Sequence, residues 1–144
     1  MKRTAIIAWA LLVASCGGGS PSAPAQPQPV ETTETFSGTT VQTGPGSCSG
    51  DSHNFTAQDG LISVRLMATT DPASALSVQV CPGGIDSGTN CSIAQQRISV
   101  GQTLSGARRG VAQQNLKLLP HSCDFGGTPA GAPVTYTVTA TYLK

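Results

Sequence analysis

From about Glu31 onward, apolar and polar residues alternate with period two in a series of short segments, the mark of strands with one buried face. The clearest runs from Val134 to Tyr142 (VTYTVTATY): Val134, Tyr136, Val138, Ala140 and Tyr142 share one face, and Thr135, Thr137, Thr139 and Thr141 line the other. Ile62, Val64 and Leu66 alternate with Ser63 and Arg65, and Leu76, Val78 and Val80 alternate with Ser77 and Gln79. Weaker alternation marks 34–41, 53–57, 92–100, 103–107 and 112–119. Turn chemistry separates these runs, at Asp59-Gly60, Asp71-Pro72, Pro82-Gly83-Gly84, Gly88-Thr89-Asn90 and Gly126-Gly127. No segment beyond residue 30 carries a convincing helical period. About eight short strands in residues 31–144 predict an all-β domain, an antiparallel two-sheet β-sandwich of jelly-roll-like form. A membrane β-barrel fits less well, because outward apolar bands with aromatic girdles are missing.

The first thirty residues follow a different pattern. Met1-Lys2-Arg3 is a basic head, and Ala5 to Val13 is an apolar run of nine residues. That run is too short for a transmembrane helix, which takes about 20 residues. With the small residues Ala14 and Ser15 behind it, the segment 1–15 reads as a secretory signal peptide. Val13-Ala14-Ser15-Cys16 resembles the lipobox of bacterial lipoproteins. The resemblance implies cleavage before Cys16, a diacylglycerol on the Cys16 thiol and acylation of the new amine. Each buried lipid CH₂ contributes about 0.8 kcal/mol, and two or more chains hold a protein stably on a bilayer. Gly17 rather than Asp follows the cysteine, which in the family favours the outer membrane of a cell that has one. Residues 16–30 form a Gly/Ser/Pro-rich, disordered linker with four prolines and no charge. Extended, it spans about 40 Å.

Composition narrows the function. Charged residues are 10% of the 144, and the formal net charge is +1; the average soluble domain carries about 25%. Removal of Lys2 and Arg3 with the leader leaves six basic residues against seven acidic ones. No basic stripe remains, so a nucleic-acid partner is excluded. The single Trp, Trp9, also leaves with the signal peptide.

Five cysteines are present, Cys16, Cys48, Cys81, Cys91 and Cys123. With Cys16 lipidated, an even four remain in an exported domain, which reads as two disulfides. Three pairings exist, and Cys81–Cys91 with Cys48–Cys123 is favoured: the first closes a short turn-rich loop between two strands, and the second takes what is left. In the chain-entropy description such loops contribute about 3 and about 4.5 kcal/mol. A zinc site would show C-x₂₋₄-C spacing, and no such pair exists in the chain.

Asp51 to Leu66 (DSHNFTAQDGLISVRL), the Leu76–Val80 strand, Gly101-Gln102-Thr103-Leu104 and the strand from Tyr136 to Tyr142 follow one another in an order that resembles the bacterial pre-peptidase C-terminal domains. The likeness covers about residues 33–143 and rests on pattern and order. It implies a β-sandwich, and a role in binding substrates such as collagen or polysaccharide, often with Ca²⁺. The chain departs from that family in its four cysteines and in carrying no protease domain.

Catalytic ingredients are sparse. His53 and His121 are the only histidines, each beside a carboxylate in sequence, Asp51 and Asp124. A Cys48–Cys123 bridge would bring both segments together as a mixed N/O metal site or a hydrolytic centre, but no G-x-S-x-G elbow accompanies them. Turn carboxylates at Asp59, Asp71 and Asp86 lack the D-x-D-x-D clustering of a Ca²⁺ loop. Tyr136 and Tyr142 fall on the apolar face of their strand and read as core residues. Arg108-Arg109, flanked by Gly106 and Gly110, reads as a solvated hairpin tip.

The expectation is a non-enzymatic, lipid-anchored cell-envelope protein without cofactor or metal, held at the membrane through Cys16. It acts as a monomer on an envelope protein or surface polymer. The alternative is a small exported hydrolase or metal-dependent enzyme built on His53, His121, Asp51 and Asp124.

Overall fold

A computed structural model describes residues 27–41, 48–70, 75–83, 90–108, 113–123 and 131–144. The signal peptide, Cys16 and most of the linker lie outside these residues, and residues 27–30 are exposed and without regular structure. The described residues form nine strands: β1 (Glu31–Val41), β2 (Cys48–Gly50), β3 (His53–Ala57), β4 (Gly60–Thr69), β5 (Ala75–Pro82), β6 (Ile93–Ser99), β7 (Thr103–Arg108), β8 (Gln114–Cys123) and β9 (Pro133–Leu143). Among the described residues there is no helix, and so none long and apolar enough to cross a membrane.

One sheet has the order β1-β9-β4-β7 and the other β2-β8-β5-β6, with β3 also paired to β8. All pairs are antiparallel. The count exceeds the expected eight by one because β2 and β3 run along the same strand, β8, as two pieces of a single broken strand. Counted so, the chain is a ribbon doubled on itself at the β5–β6 connection: β5 lies on β6, β4 on β7, β2/β3 on β8 and β1 on β9. Rolled into two facing sheets, that ribbon is a jelly roll.

The alternation read from sequence sets the layers. Ile62, Val64, Leu66, Leu76, Val78, Val80, Val134, Tyr136, Val138, Ala140 and Tyr142 are all buried between the sheets. Each large side chain removed from water contributes about 1.5–3 kcal/mol. On the outer face of the first sheet, hydroxyls pair across strands: Thr33 with Thr141 (2.8 Å), Ser37 with Thr137 (3.1 Å) and Ser63 with Ser105 (2.9 Å).

The Cys81–Cys91 disulfide forms, with S–S 2.00 Å and Cα–Cα 4.0 Å. It ties the turning point of the ribbon, where β5 ends and β6 is about to begin. Cys48 stands directly across from Cys123 in the β2–β8 ladder. Opposed antiparallel residues have Cα atoms about 4.5–5.5 Å apart, inside the range a disulfide spans.

The doubled ribbon also fixes the ends. Val30 and Lys144 exchange two backbone hydrogen bonds, Val30 N to Lys144 O (3.1 Å) and Lys144 N to Val30 O (2.9 Å). The chain thus enters the sandwich beside Lys144. The opposite end, about 35 Å away along β1 at about 3.4 Å per residue, carries Val41 with Pro133 and Cys48 with Cys123.

Candidate functional site

Near that far end, three of the sandwich's polar side chains meet where β1 and β9 face β2 and β3. The Tyr136 hydroxyl donates to Asp51 Oδ2 at 2.8 Å. With that proton committed, the 2.6 Å contact between Tyr136 and His53 is made by a proton on His53 Nε2. His53 Nε2 stands 3.9 Å from the same Asp51 oxygen. Asp51 also accepts the Ser52 backbone N–H at 2.8 Å, which fixes the bend between β2 and β3.

Glycine makes room for this group. Gly38, on β1, lies beneath it, and a Cβ there would run into the Asp51 carboxylate and the Tyr136 hydroxyl. A row of rings continues inward: His53 against Phe36 at 5.1 Å, Phe36 against Phe55 at 6.2 Å and Phe55 against Tyr142 at 4.6 Å between centroids. His53 also meets Tyr136 edge-on at 5.9 Å.

The electrostatics make Tyr136 inert at neutral pH. Burial raises its hydroxyl pKa well above the usual 10.0, and the hydrogen bond to Asp51 and the charge of that carboxylate raise it further. The Tyr142 hydroxyl is raised too, by burial first and then by the Glu34 carboxylate. A phenol that keeps its proton and has its oxygen engaged is neither nucleophile nor base. Among the described residues, His53 has no serine or cysteine as a hydrogen-bond partner. The cluster is a polar tie between the sheets.

The partnership of His53 with His121 that the alternative enzyme reading requires is not formed. His53 opposes Leu118 and His121 opposes Gly50. Opposed residues share a face and faces alternate along a strand, so His53 points with Leu118 toward the core while His121, three residues on, is on the other face of the sheet. There the His121 ring lies over Gly50, whose built Cβ would fall 2.6 Å from His121 Nδ1. Asp124 lies outside the described residues. Among the described residues no group of three His, Cys, Asp or Glu side chains is placed to hold a metal ion.

Arg108 is also not where sequence put it. It is buried at the end of β7, donating from Nη1 to the Ala57 carbonyl and from Nε to Gln114 Oε1, both at 3.0 Å. Its guanidinium ties β7 to β3 and β8 at the end where the chain enters.

A cleft of about 300 Å³ opens beside the cluster, lined by Ser37, Ala68, Thr69, Thr70, Thr135 and Thr137 and sharing Gly38 and Tyr136 with it. It sits where the β4–β9 register shifts between Leu66 and Ala68. Sequence shows the threonine stripe but neither the bulge nor the cleft, which exist only once β4 lies beside β9.

No family model matches the chain, and no curated protein matches it. Among solved structures it is similar to the Burkholderia pseudomallei antigen and type I fimbria protein, at 17% identity over 80% of this chain and 99% of that one, with a TM-score of 0.42. It is also similar to turnip yellow mosaic virus, at 13% identity over 99% of this chain and 92% of that one, with a TM-score of 0.29. Both likenesses are loose and concern the β-rich fold.

Proposed function

We propose that the protein is a non-enzymatic, lipid-anchored module of the bacterial cell envelope that presents a disulfide-tied β-sandwich for binding. One observation carries this reading: the backbone pairing of Val30 with Lys144 puts the linker's exit at one end, while the cleft and the Asp51–Tyr136–His53 group lie toward the other. A chain held through Cys16 and lifted by a proline spacer then turns its polar features away from the bilayer. Tethering raises effective concentration near the surface without a new contact. The sandwich accommodates the pre-peptidase-like reading at the level of a two-sheet module. The separation of His53 from His121 speaks against the hydrolase alternative.

Intact-mass measurement on protein extracted from native membranes tests the anchor. The expected species begins at Cys16 and carries a diacylglyceryl group, and Cys16→Ser protein leaves the membrane fraction. A polypeptide beginning elsewhere, or an unmodified Cys16 thiol, overturns the reading.

A further inference from the structure

We infer that β1 is a self-association edge: it pairs antiparallel with β1 of a second copy of this chain, joining their β1-β9-β4-β7 sheets into a continuous one across a two-fold axis at Phe36. The monomer expected from sequence is then half of a dimer. The inference goes beyond the presentation reading and does not depend on the anchor.

Backbone parity carries it. Val30 and Lys144 exchange both of their hydrogen bonds, and along an antiparallel ladder such pairs alternate with pairs whose groups turn outward. The β1–β9 register runs without a shift from Glu31 opposite Leu143 to Val41 opposite Pro133. Every second residue from Thr32 to Thr40 therefore commits its N–H and C=O to β9, and Glu31, Thr33, Thr35, Ser37, Thr39 and Val41 aim theirs away from it. Those six are also the exposed residues of the strand. β2 and β3, across the seam, belong to the other sheet, and among the described residues no backbone group bonds to this edge.

The other edges carry safeguards against pairing, and β1 does not. The β2/β3 edge is broken at the Asp51–Ser52 bend. β6 carries Arg97 and is irregular where its register with β5 shifts between Val78 and Val80. β7 has six residues and lies against Ser92 at Gly106. β1 has eleven residues, with no proline, lysine, arginine or bulge. Its two charges stand together near its start, and Glu34 is met by Lys144 Nζ at 3.3 Å.

The strand's own pattern selects the partner. With two copies overlapped end to end, Glu31 faces the partner's Val41, Thr33 the partner's Thr39 and Thr35 the partner's Ser37, making about twelve backbone hydrogen bonds. The hydroxyl pairs so formed repeat those that β1 already makes with β9, Thr33 with Thr141 and Ser37 with Thr137. Glutamates of the two copies stay about 14 Å or more apart, beyond the screening length of about 8 Å; a parallel pairing would stack them. Phe36, the midpoint of the strand and only partly buried, falls opposite the partner's Phe36, where Cα atoms stand about 4.5 Å apart and the two rings meet. An unrelated extended peptide finds the same backbone groups but neither the hydroxyl match nor the ring. The chain entries then lie at opposite ends of the joined sheet. A linker of about 40 Å exceeds the length of β1, about 35 Å, so it is long enough for one bilayer to hold both copies, one in the orientation proposed above and one inverted beside it.

The test uses the full protein extracted in detergent. Sedimentation equilibrium is expected to show a monomer–dimer equilibrium with Kd of about 10–100 μM, because one strand against one strand is a small interface. Thr35→Pro removes an N–H that β9 does not use, and Thr35→Lys sets two like charges near the axis. Each is expected to raise Kd about tenfold or more while thermal melts stay near the wild type; should Thr35→Pro fail to fold, Thr35→Lys decides. Thr33→Cys and Thr39→Cys proteins, mixed and mildly oxidised, are expected to form a mixed dimer with a disulfide between positions 33 and 39, mapped by peptide mass spectrometry. Neither variant crosslinks through that position alone, because each new cysteine lies about 20 Å from its own counterpart. The inference is overturned if the wild type stays monomeric at about 1 mM, if Thr33→Cys protein crosslinks to itself at position 33, or if both Thr35 variants dimerise as tightly as the wild type. Dimers retained by Cys16→Ser protein keep this inference standing even where the anchor fails.

Discussion

The two long seams of the sandwich, where an edge strand of one sheet meets an edge strand of the other, are closed by different means. Along the β1–β3 seam the sheets are bridged by rings and polar tips: Tyr136, His53, Phe36, Phe55 and Tyr142 stack inward from the Asp51 carboxylate. Every described Phe and Tyr side chain stands in that row. Along the β6–β7 seam there are no rings among the described residues, and the sheets close until main chain touches main chain. A Cβ on Gly106 would run into the Ser92 carbonyl and come within 3.0 Å of Ile93 Cγ1. Both seams contain a glycine, but the obstacle differs. Under Gly38 it is the movable end of two side chains, and beside Gly106 it is backbone. Where bulky rings are present they set the sheet spacing, and where they are absent only the smallest residue lets the chains approach.

Gly106→Ala is the strongest way to break that contrast. Gly106 is not among the positive-φ glycines, so the added methyl acts by collision alone, against a carbonyl that β6 cannot withdraw without giving up its pairing with β5. A loss of about 3 kcal/mol is expected, read as the shift of the urea midpoint at constant slope. Gly38→Ala is expected to cost about half as much, because the Asp51 and Tyr136 ends swing aside and forfeit their hydrogen bond. Tyr136→Phe removes that same bond and its partner to His53, for about 1–2 kcal/mol. The double variant Gly38→Ala/Tyr136→Phe then loses less than the two single losses together. If Gly106→Ala proves no more damaging than Gly38→Ala, the distinction between backbone and side-chain closure is wrong.

Sequence made one of these seams partly visible and hid the other. Period-two alternation located the strands because each has one face in the core, and it placed Tyr136 and Tyr142 inside correctly. It gave the Cys81–Cys91 bridge because both cysteines lie at the ends of one short hairpin. It could not show that Asp51 and Tyr136, 85 residues apart, share a hydrogen bond, since that contact depends on which strands become neighbours. The same ignorance of pairing left open the alternative that joins His53 to His121, which the alternation of faces forbids. Alternation placed Gly106 inside a strand, 103–107, as β7 bears out, but did not show the close approach of another backbone that a strand glycine marks. Arg108 was the error, for a charged residue between glycines looks solvated until its carbonyl and amide partners arrive from β3 and β8.

Alkaline pH offers a milder probe aimed at the aromatic seam. Tyr136 and Tyr142 both hold their protons more tightly in the folded protein than in the unfolded chain, where the phenol titrates near 10.0. Their contribution is therefore whole below pH 10 and is lost as the pH climbs from there toward the folded values. At pH 11 the unfolded chain is already ionised at both positions while the folded chain is not, so each tyrosine lowers stability by about 1 kcal/mol relative to pH 8. Tyr136→Phe is expected to remove about half of that decline in the urea midpoint, and Tyr136→Phe/Tyr142→Phe nearly all of it. Gly106→Ala protein, weaker throughout, keeps the full slope because its damage lies in the other seam, where the described contacts are backbone and aliphatic. Equal slopes in the wild type and the double phenylalanine variant would mean that the phenols are not held by burial and the carboxylates, and the polar tie at Asp51 would lose its physical basis.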